Sequence, residues 1–184
     1  MKLSLQYFFA TLIVVLFVFS CKEKDDREKF FPVLSFIQGQ AADIDTSLYS
    51  MRKIVYVDTL RTDTFFIHRE DFRKEAQVFL SIPDIAAPKY RDRYTEDKRF
   101  DETMNRVMIT YTPVKPEKEE IQRQEVIIKP DPVGDKVTNF IINSVVNTKD
   151  SAVLKRLLWK VGESFQVTII KQLAGQPETT STSK

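Results

Sequence analysis

Cys21 is the chain's one cysteine and His68 its one histidine, and these two residues bound much of the chemistry available. A lone cysteine cannot form an intramolecular disulfide, and it rules out a Cys-based zinc site. A histidine triad or a His-rich metal site would have to run through His68. That residue stands at a predicted strand end beside Arg69 and Glu70, with no nucleophile in its neighbourhood, and reads as a surface or edge histidine. Carboxylate pairs are plentiful: Asp43/Asp45, Asp71/Glu75, Glu96/Asp97, Asp101/Glu102 and Glu119/Glu120. Glycoside hydrolysis needs two carboxyls held across a cleft, and nothing in the spacing singles out such a pair. The four glycines (Gly39, Gly134, Gly162, Gly175) are isolated, so there is no glycine-rich phosphate loop. The spaced acids and central glycine of a calcium loop are missing, as is a nucleophile-elbow serine. The expectation is a non-enzyme with no cofactor, no metal and no catalytic residues.

Two features could serve recognition instead. Between residues 89 and 100, Tyr90, Tyr94 and Phe100 interleave with Arg91, Arg93 and Arg99, with Lys98 among them. Tyrosine and arginine are favoured where proteins meet partners, so Tyr90, Arg91, Arg93, Tyr94, Arg99 and Phe100 are the candidate partner-binding loop. The ordinary explanation is a solvated surface loop. Such mixtures also bind single-stranded nucleic acid, but Asp92, Glu96, Asp97 and Asp101 oppose that here. Trp159 lies in Leu157-Leu158-Trp159-Lys160, where Leu157 and Trp159 share one strand face and Leu154 and Leu158 the other. This suits a central strand packed on both faces, or one lining a pocket.

These residues need elements to hold them. A helix is expected over Phe31 to Ile44, with Pro32 in its first turn and Val33, Phe36, Ile37, Gln40, Ala41 and Ile44 on one stripe. A hairpin follows, from Arg52–Asp58 and Asp63–His68. A second helix spans Glu70 to Ile82, with Phe72, Ala76, Phe79 and Leu80 on one face, and Pro83 stops it. Residues 83–100 read as irregular and charged. Five strand-like runs then occupy 103–112, 121–129, 137–147, 152–160 and 164–172, joined by turn-forming residues. Val107, Ile109 and Tyr111 alternate with polar residues, as do Phe165, Val167 and Ile169, which predicts one buried face. The expected fold class is α+β: two helices packed on a mainly antiparallel sheet made of a β-hairpin plus a five-stranded meander. It forms one domain over 30–173. Residues 174–184 (Ala174, then Gly175-Gln-Pro to Lys184) lack apolar anchors beyond that alanine and read as a disordered tail.

The start of the chain sets location. Met1-Lys2 precedes a 13-residue run, Tyr7 to Phe19, in which only Thr11 is polar. A charged start before an apolar run of this length is the layout of a secretory signal. A single-span anchor would have to count back to Leu3, and Ser4 and Gln6 interrupt it. The run ends Val18-Phe19-Ser20-Cys21, followed by Lys22-Glu23-Lys24-Asp25-Asp26. Here the sequence resembles the lipobox signal of bacterial lipoproteins of the Bacteroidota type, over about the first 26 residues. The resemblance implies removal of residues 1–20, lipidation of Cys21, a charged tether over 21–29, and a lipid-anchored place in the cell envelope, at the outer membrane, on its periplasmic or its surface-exposed side. Two or more acyl chains are what stable anchoring requires.

Composition fits a folded body on such a tether. Hydrophobic residues are 42% and charged residues 29% of the chain, a balance that excludes wholesale disorder. The 28 Lys+Arg and 26 Asp+Glu nearly cancel, whereas a nucleic-acid-binding domain carries a basic excess, so nucleic acid is not an expected partner. The leading expectation is a membrane-anchored binding module that meets an envelope protein or polymer. A carrier of an apolar, lipid-like ligand is the alternative, in a cavity bordered by Phe36, Phe79, Phe140 and Trp159. A glycan hydrolase ranks below both.

Overall fold

The computed structural model describes residues 30–57 and 61–184. The leader, Cys21 and the tether to Lys29 lie outside the described residues, as does the middle of the hairpin connection.

The first helix, α1 (Val33–Thr46), buries Val33, Ile37 and Ala41 and lays Phe36 and Ile44 along the edge of the same stripe. Gln40 sits on that stripe because its side-chain oxygen accepts the indole N–H of Trp159 at 2.7 Å. The second expected helix is two: α2 (Arg69–Glu75) and α3 (Gln77–Leu80), broken at Ala76, whose ψ of −2° departs from the helical value. Phe72, Ala76 and Phe79 still share the buried face. Glu70 and Asp71 in the first turn of α2, with Arg73 and Lys74 in its last, complement the helix dipole.

Nine strands form one antiparallel sheet among the described residues: β1 (Met51–Tyr56), β2 (Thr62–Ile67), β3 (Tyr94–Asp101), β4 (Arg106–Pro113), β5 (Ile121–Lys129), β6 (Lys136–Asn147), β7 (Ser151–Lys160), β8 (Ser164–Leu173) and β9 (Thr179–Ser183). Their order is β2-β1-β9-β8-β7-β6-β5-β4-β3. Helices on an antiparallel sheet are as expected, but the sheet dominates and holds two strands more than the sequence suggested. Each comes from a segment read as irregular. The charged stretch within 83–100 is a short 3-10 turn, Pro88–Tyr90, followed by the edge strand β3. Charge there is compatible with a strand because an edge strand faces water on more than one side. The tail is not disordered over its whole length: Thr179–Ser183 lies between β8 and β1. A strand flanked on both sides is held by its backbone, and threonine favours the extended form, so apolar anchors are dispensable. Through β9 the N-terminal hairpin joins the meander. Ile54 and Lys184 exchange two backbone hydrogen bonds, of 2.6 and 2.8 Å, at this seam.

The core lies between the helices and one face of the sheet. Phe79 meets Trp159 at 5.2 Å, Trp159 stacks on Phe165 at 5.4 Å, and Phe72 closes the group against Phe165 at 5.6 Å. Nearer β6, Phe36 meets Phe140 at 5.3 Å and Phe31 packs on both rings at 5.9 Å. Edge-to-face and offset contacts of this kind add to the burial of the rings themselves. The turn between β7 and β8 needs a left-handed residue, and Gly162, with φ of 69°, supplies it.

Candidate functional site

The residues named from the sequence do not gather into one exposed patch. Tyr90 and Tyr94 are buried, with their rings 6.0 Å apart. Arg93 lies across the Tyr90 ring at 4.6 Å and grips Glu119 with two hydrogen bonds, of 2.6 and 2.7 Å. The Glu119 side chain is only 5% exposed. Tyr94 donates its hydroxyl to the Ile121 carbonyl at 3.0 Å. Burial, together with the Glu119 carboxylate, pushes the Tyr94 hydroxyl's pKa well above the ordinary tyrosine value. These groups are a clamp joining the start of β3 to the segment before β5. An exposed loop of aromatics and arginines is therefore corrected to a packed cluster at Tyr90, Arg93 and Tyr94 and an edge strand beyond them. Arg91 follows the 3-10 turn. Phe100 is 55% exposed on β3, on the helix-side face but past the helices' cover.

Arg99 reaches a concave surface on the other face of the sheet. The register sets Arg99 opposite Met108, Asp97 opposite Thr110 and Thr95 opposite Thr112, all on the face away from the helices. With Arg123 of β5, the side chains of Asp97, Arg99, Met108, Thr110 and Thr112 line a depression of about 360 Å³ open to solvent. Arg99 donates to Asp97 at 2.7 Å, and Arg123 to Glu125 at 2.7 Å. The Thr95 and Thr112 hydroxyls are 3.0 Å apart at the upper rim. The depression thus presents two guanidinium groups with donors to spare, hydroxyls and one carboxylate over a methionine. That set recognises polar groups, with a small apolar contact.

Arg123 owes its place to a bulge. The pairing of β5 with β6 shifts between Ile121 and Arg123, so that Ile121 points to the core and Arg123, two residues on, points outward. Without the extra residue Gln122, both would share a face. The same shift carries Gln124 into the core, where its side-chain nitrogen is buried without a hydrogen-bond partner. Met108, Thr110, Thr112 and Arg123 were not expected at a site. A signal existed: the buried positions of β5 change parity between Ile121 and Val126/Ile128, which marks a bulge.

The rest of this outer face is a mixed surface. Met108 stands opposite Ile127, Ile141 opposite Leu158, and Val145, Leu154 and Ile170 follow across three strands. Asn143, Arg156 and Thr168 form the adjoining polar row. A water-facing sheet side ordinarily alternates to polar residues; this one keeps half-buried aliphatic pairs between them. Its helix-side counterpart holds the four residues expected to border a cavity, Phe36, Phe79, Phe140 and Trp159, and all four are packed ring on ring.

Among the described residues, no group of three or more His, Cys, Asp or Glu side chains could hold a metal ion, and no helix is long and apolar enough to cross a membrane. His68 precedes α2 in extended conformation, at its N-cap position, without a side-chain capping bond. Comparison with family models, curated proteins and solved structures gives no match.

Proposed function

We propose that the chain is a lipid-anchored binding module of the cell envelope that meets an envelope protein or polymer through the outer face of its sheet, centred on the depression at Asp97, Arg99, Thr110 and Arg123. The observation that carries this reading is the asymmetry of the two faces. The helix side is filled with interlocked aromatic rings, while the outer side offers a polar depression beside half-buried aliphatic pairs. Arginine with interspersed apolar contact is the composition of recognition surfaces. The carrier alternative asks for empty space where Phe79, Phe140 and Trp159 pack, so it has less support. A glycan hydrolase asks for two facing carboxyls; Asp97 is the one carboxylate lining the depression, and it is neutralised by Arg99. Anchorage at Cys21 rests on the lipobox resemblance and on the charged tether that separates the body from the membrane.

Both halves of the proposal are testable in the cell. Metabolic labelling with an alkyne fatty acid should mark the full chain and should not mark a Cys21→Ser variant; equal labelling of both removes the anchor from the proposal. A photo-crosslinking residue placed at Thr110 should yield a discrete adduct that the same probe at Lys149, in the β6–β7 turn, does not. Equal adducts from both positions, or none from Thr110, would move the contact away from the depression.

A further inference from the structure

Among the described residues, the strand β2, at the opposite edge of the sheet, has no neighbour on its outer side. Its neighbour β1 bonds to β9 through Ile54 and to β2 through the alternate residues, because Val57 donates to the Arg61 carbonyl at 3.1 Å and hydrogen-bonded pairs recur every second residue. Asp63, Phe65 and Ile67 therefore turn their backbone groups toward β1. Thr62, Thr64 and Phe66 turn theirs outward, with no strand among the described residues to receive them. No proline interrupts the strand, and Asp63 is its one charge. Phe65 and Phe66, on opposite faces, are 53% and 77% exposed. Edges of this kind are templates for another strand.

We infer that β2 pairs antiparallel with β2 of a second copy of this chain about a two-fold axis centred on Phe65. The register follows from the residues. A two-fold perpendicular to the sheet keeps each face on its own side, so residues of like parity must meet. Centring on Phe65 sets Thr64 against Phe66 of the second copy and Phe66 against its Thr64. The four outward backbone groups of each chain at these positions are then satisfied. Phe65 faces Phe65 of the second copy in a non-hydrogen-bonded pair, where side chains approach most closely. On the other face the two Phe66 rings become diagonal neighbours, within aromatic reach. Asp63 meets Ile67 of the second copy, so no like charges are opposed within the strand. Beyond residue 67 the chain enters α2 and the pairing ends. A centre on Thr64 would put Asp63 against the Phe65 ring and leave that ring without an aromatic partner, so it fits less well. This edge is eight strand steps, roughly 38 Å along the sheet, from β3, which leaves the depression at Arg99 free in a dimer.

The test uses the full chain in its membrane and after mild detergent release. A Phe65→Cys variant should form a disulfide-linked dimer on mild oxidation, since non-hydrogen-bonded partners lie about 4.5 Å apart at Cα, within disulfide range. Its yield should exceed that of the parent chain, which carries only Cys21, and that of Lys98→Cys on the β3 edge by about fivefold or more. Native mass spectrometry of the released parent chain should show a dimer. Thr64→Pro should make it monomeric, because proline removes an outward donor without touching the bonds to β1, and Thr64→Ala should leave it dimeric. A monomeric parent chain, a dimer indifferent to Thr64→Pro, or equal cross-linking at positions 65 and 98 would overturn the inference. Recovery of β2 cross-linked only to a different protein would do the same.

Discussion

At one end of the sheet β3 carries Glu96, Asp97, Lys98 and Arg99 in succession; at the other, β2 carries Phe65 and Phe66 with a single charge. Both are edge strands, with no neighbour on one side among the described residues. The β3 end is guarded by charge and fixed from behind by the Arg93–Glu119 clamp and the buried Tyr94. The β2 end rests on a short seam with β9 and one ion pair from the helix layer, Lys53 to Glu75 at 2.7 Å. The difference separates two jobs an edge can have. A run of charged side chains along an edge strand discourages another backbone from docking, whereas exposed phenylalanines and unblocked amides invite it. The fold invests its packing under the meander and leaves the hairpin end less covered.

The sharpest way to break that comparison is to hollow out the meander. Trp159→Ala removes a ring held between Phe79 and Phe165 and the donor to Gln40. A large-to-small change at such a site costs about 3–5 kcal/mol, so chemical denaturation should show a loss of that size. A cost below about 1 kcal/mol would mean that the core does not rest on this cluster.

Next in size is the clamp. Arg93→Ala strands the Glu119 carboxylate in a nearly water-free position. Losing the partner of a buried charge costs about 3–5 kcal/mol; since Arg93 itself is half exposed and water can enter behind it, roughly 3 kcal/mol is expected in urea titration. The variant should leave photo-crosslinking at Thr110 intact wherever the protein stays folded. Had Arg93 been a contact residue on a loop, the pattern would be the reverse, with binding lost and stability kept.

How far the sequence could foretell this contrast depends on which force shapes each element. Side-chain periodicity was enough for α1, for the hairpin and for β4 through β8, because Val33, Ile37 and Ala41, or Ile109 and Tyr111, must reach one core. It failed where the backbone decides. Nothing apolar marks Thr179–Ser183, whose place is set by neighbours far away in the chain. Charge concealed β3, because an edge strand and a solvated loop have similar composition. The break falls at Ala76, and alanine is the best of helix formers, so no residue type in the sequence announces it. At the candidate site, Arg99 was legible as part of an arginine-rich stretch, but its companions Thr110, Thr112 and Arg123 are neighbours only through strand register and the bulge at Gln122. Tyr90 and Tyr94 were read as exposed because a short segment cannot show that a partner such as Glu119, some 25 residues on, will cover them.

The smallest expected effect distinguishes the two ends by pH. Tyr94 and Tyr111 are both buried near the β3 end. Tyr111 uses its hydroxyl oxygen to accept the Phe31 amide at 3.0 Å. Burial is the leading reason that both hydroxyls ionise well above the ordinary value of 10.0. Since the folded-state pKa lies above the unfolded one, the folded chain holds these protons after the unfolded chain has released them. Their stabilisation is complete below pH 10 and declines as pH rises toward the folded-state values. By pH 11 each tyrosine should cost about 1 kcal/mol relative to neutral pH. Thermal melts across pH 8–11 should therefore fall in midpoint above pH 10. A chain carrying Tyr94→Phe and Tyr111→Phe should start lower, for want of two hydrogen bonds worth about 1 kcal/mol each, and then show a shallower decline. If the double variant declines as steeply as the parent, the alkaline sensitivity belongs to another part of the molecule, and the clamped end owes its stability to Arg93 and Glu119 more than to its buried hydroxyls.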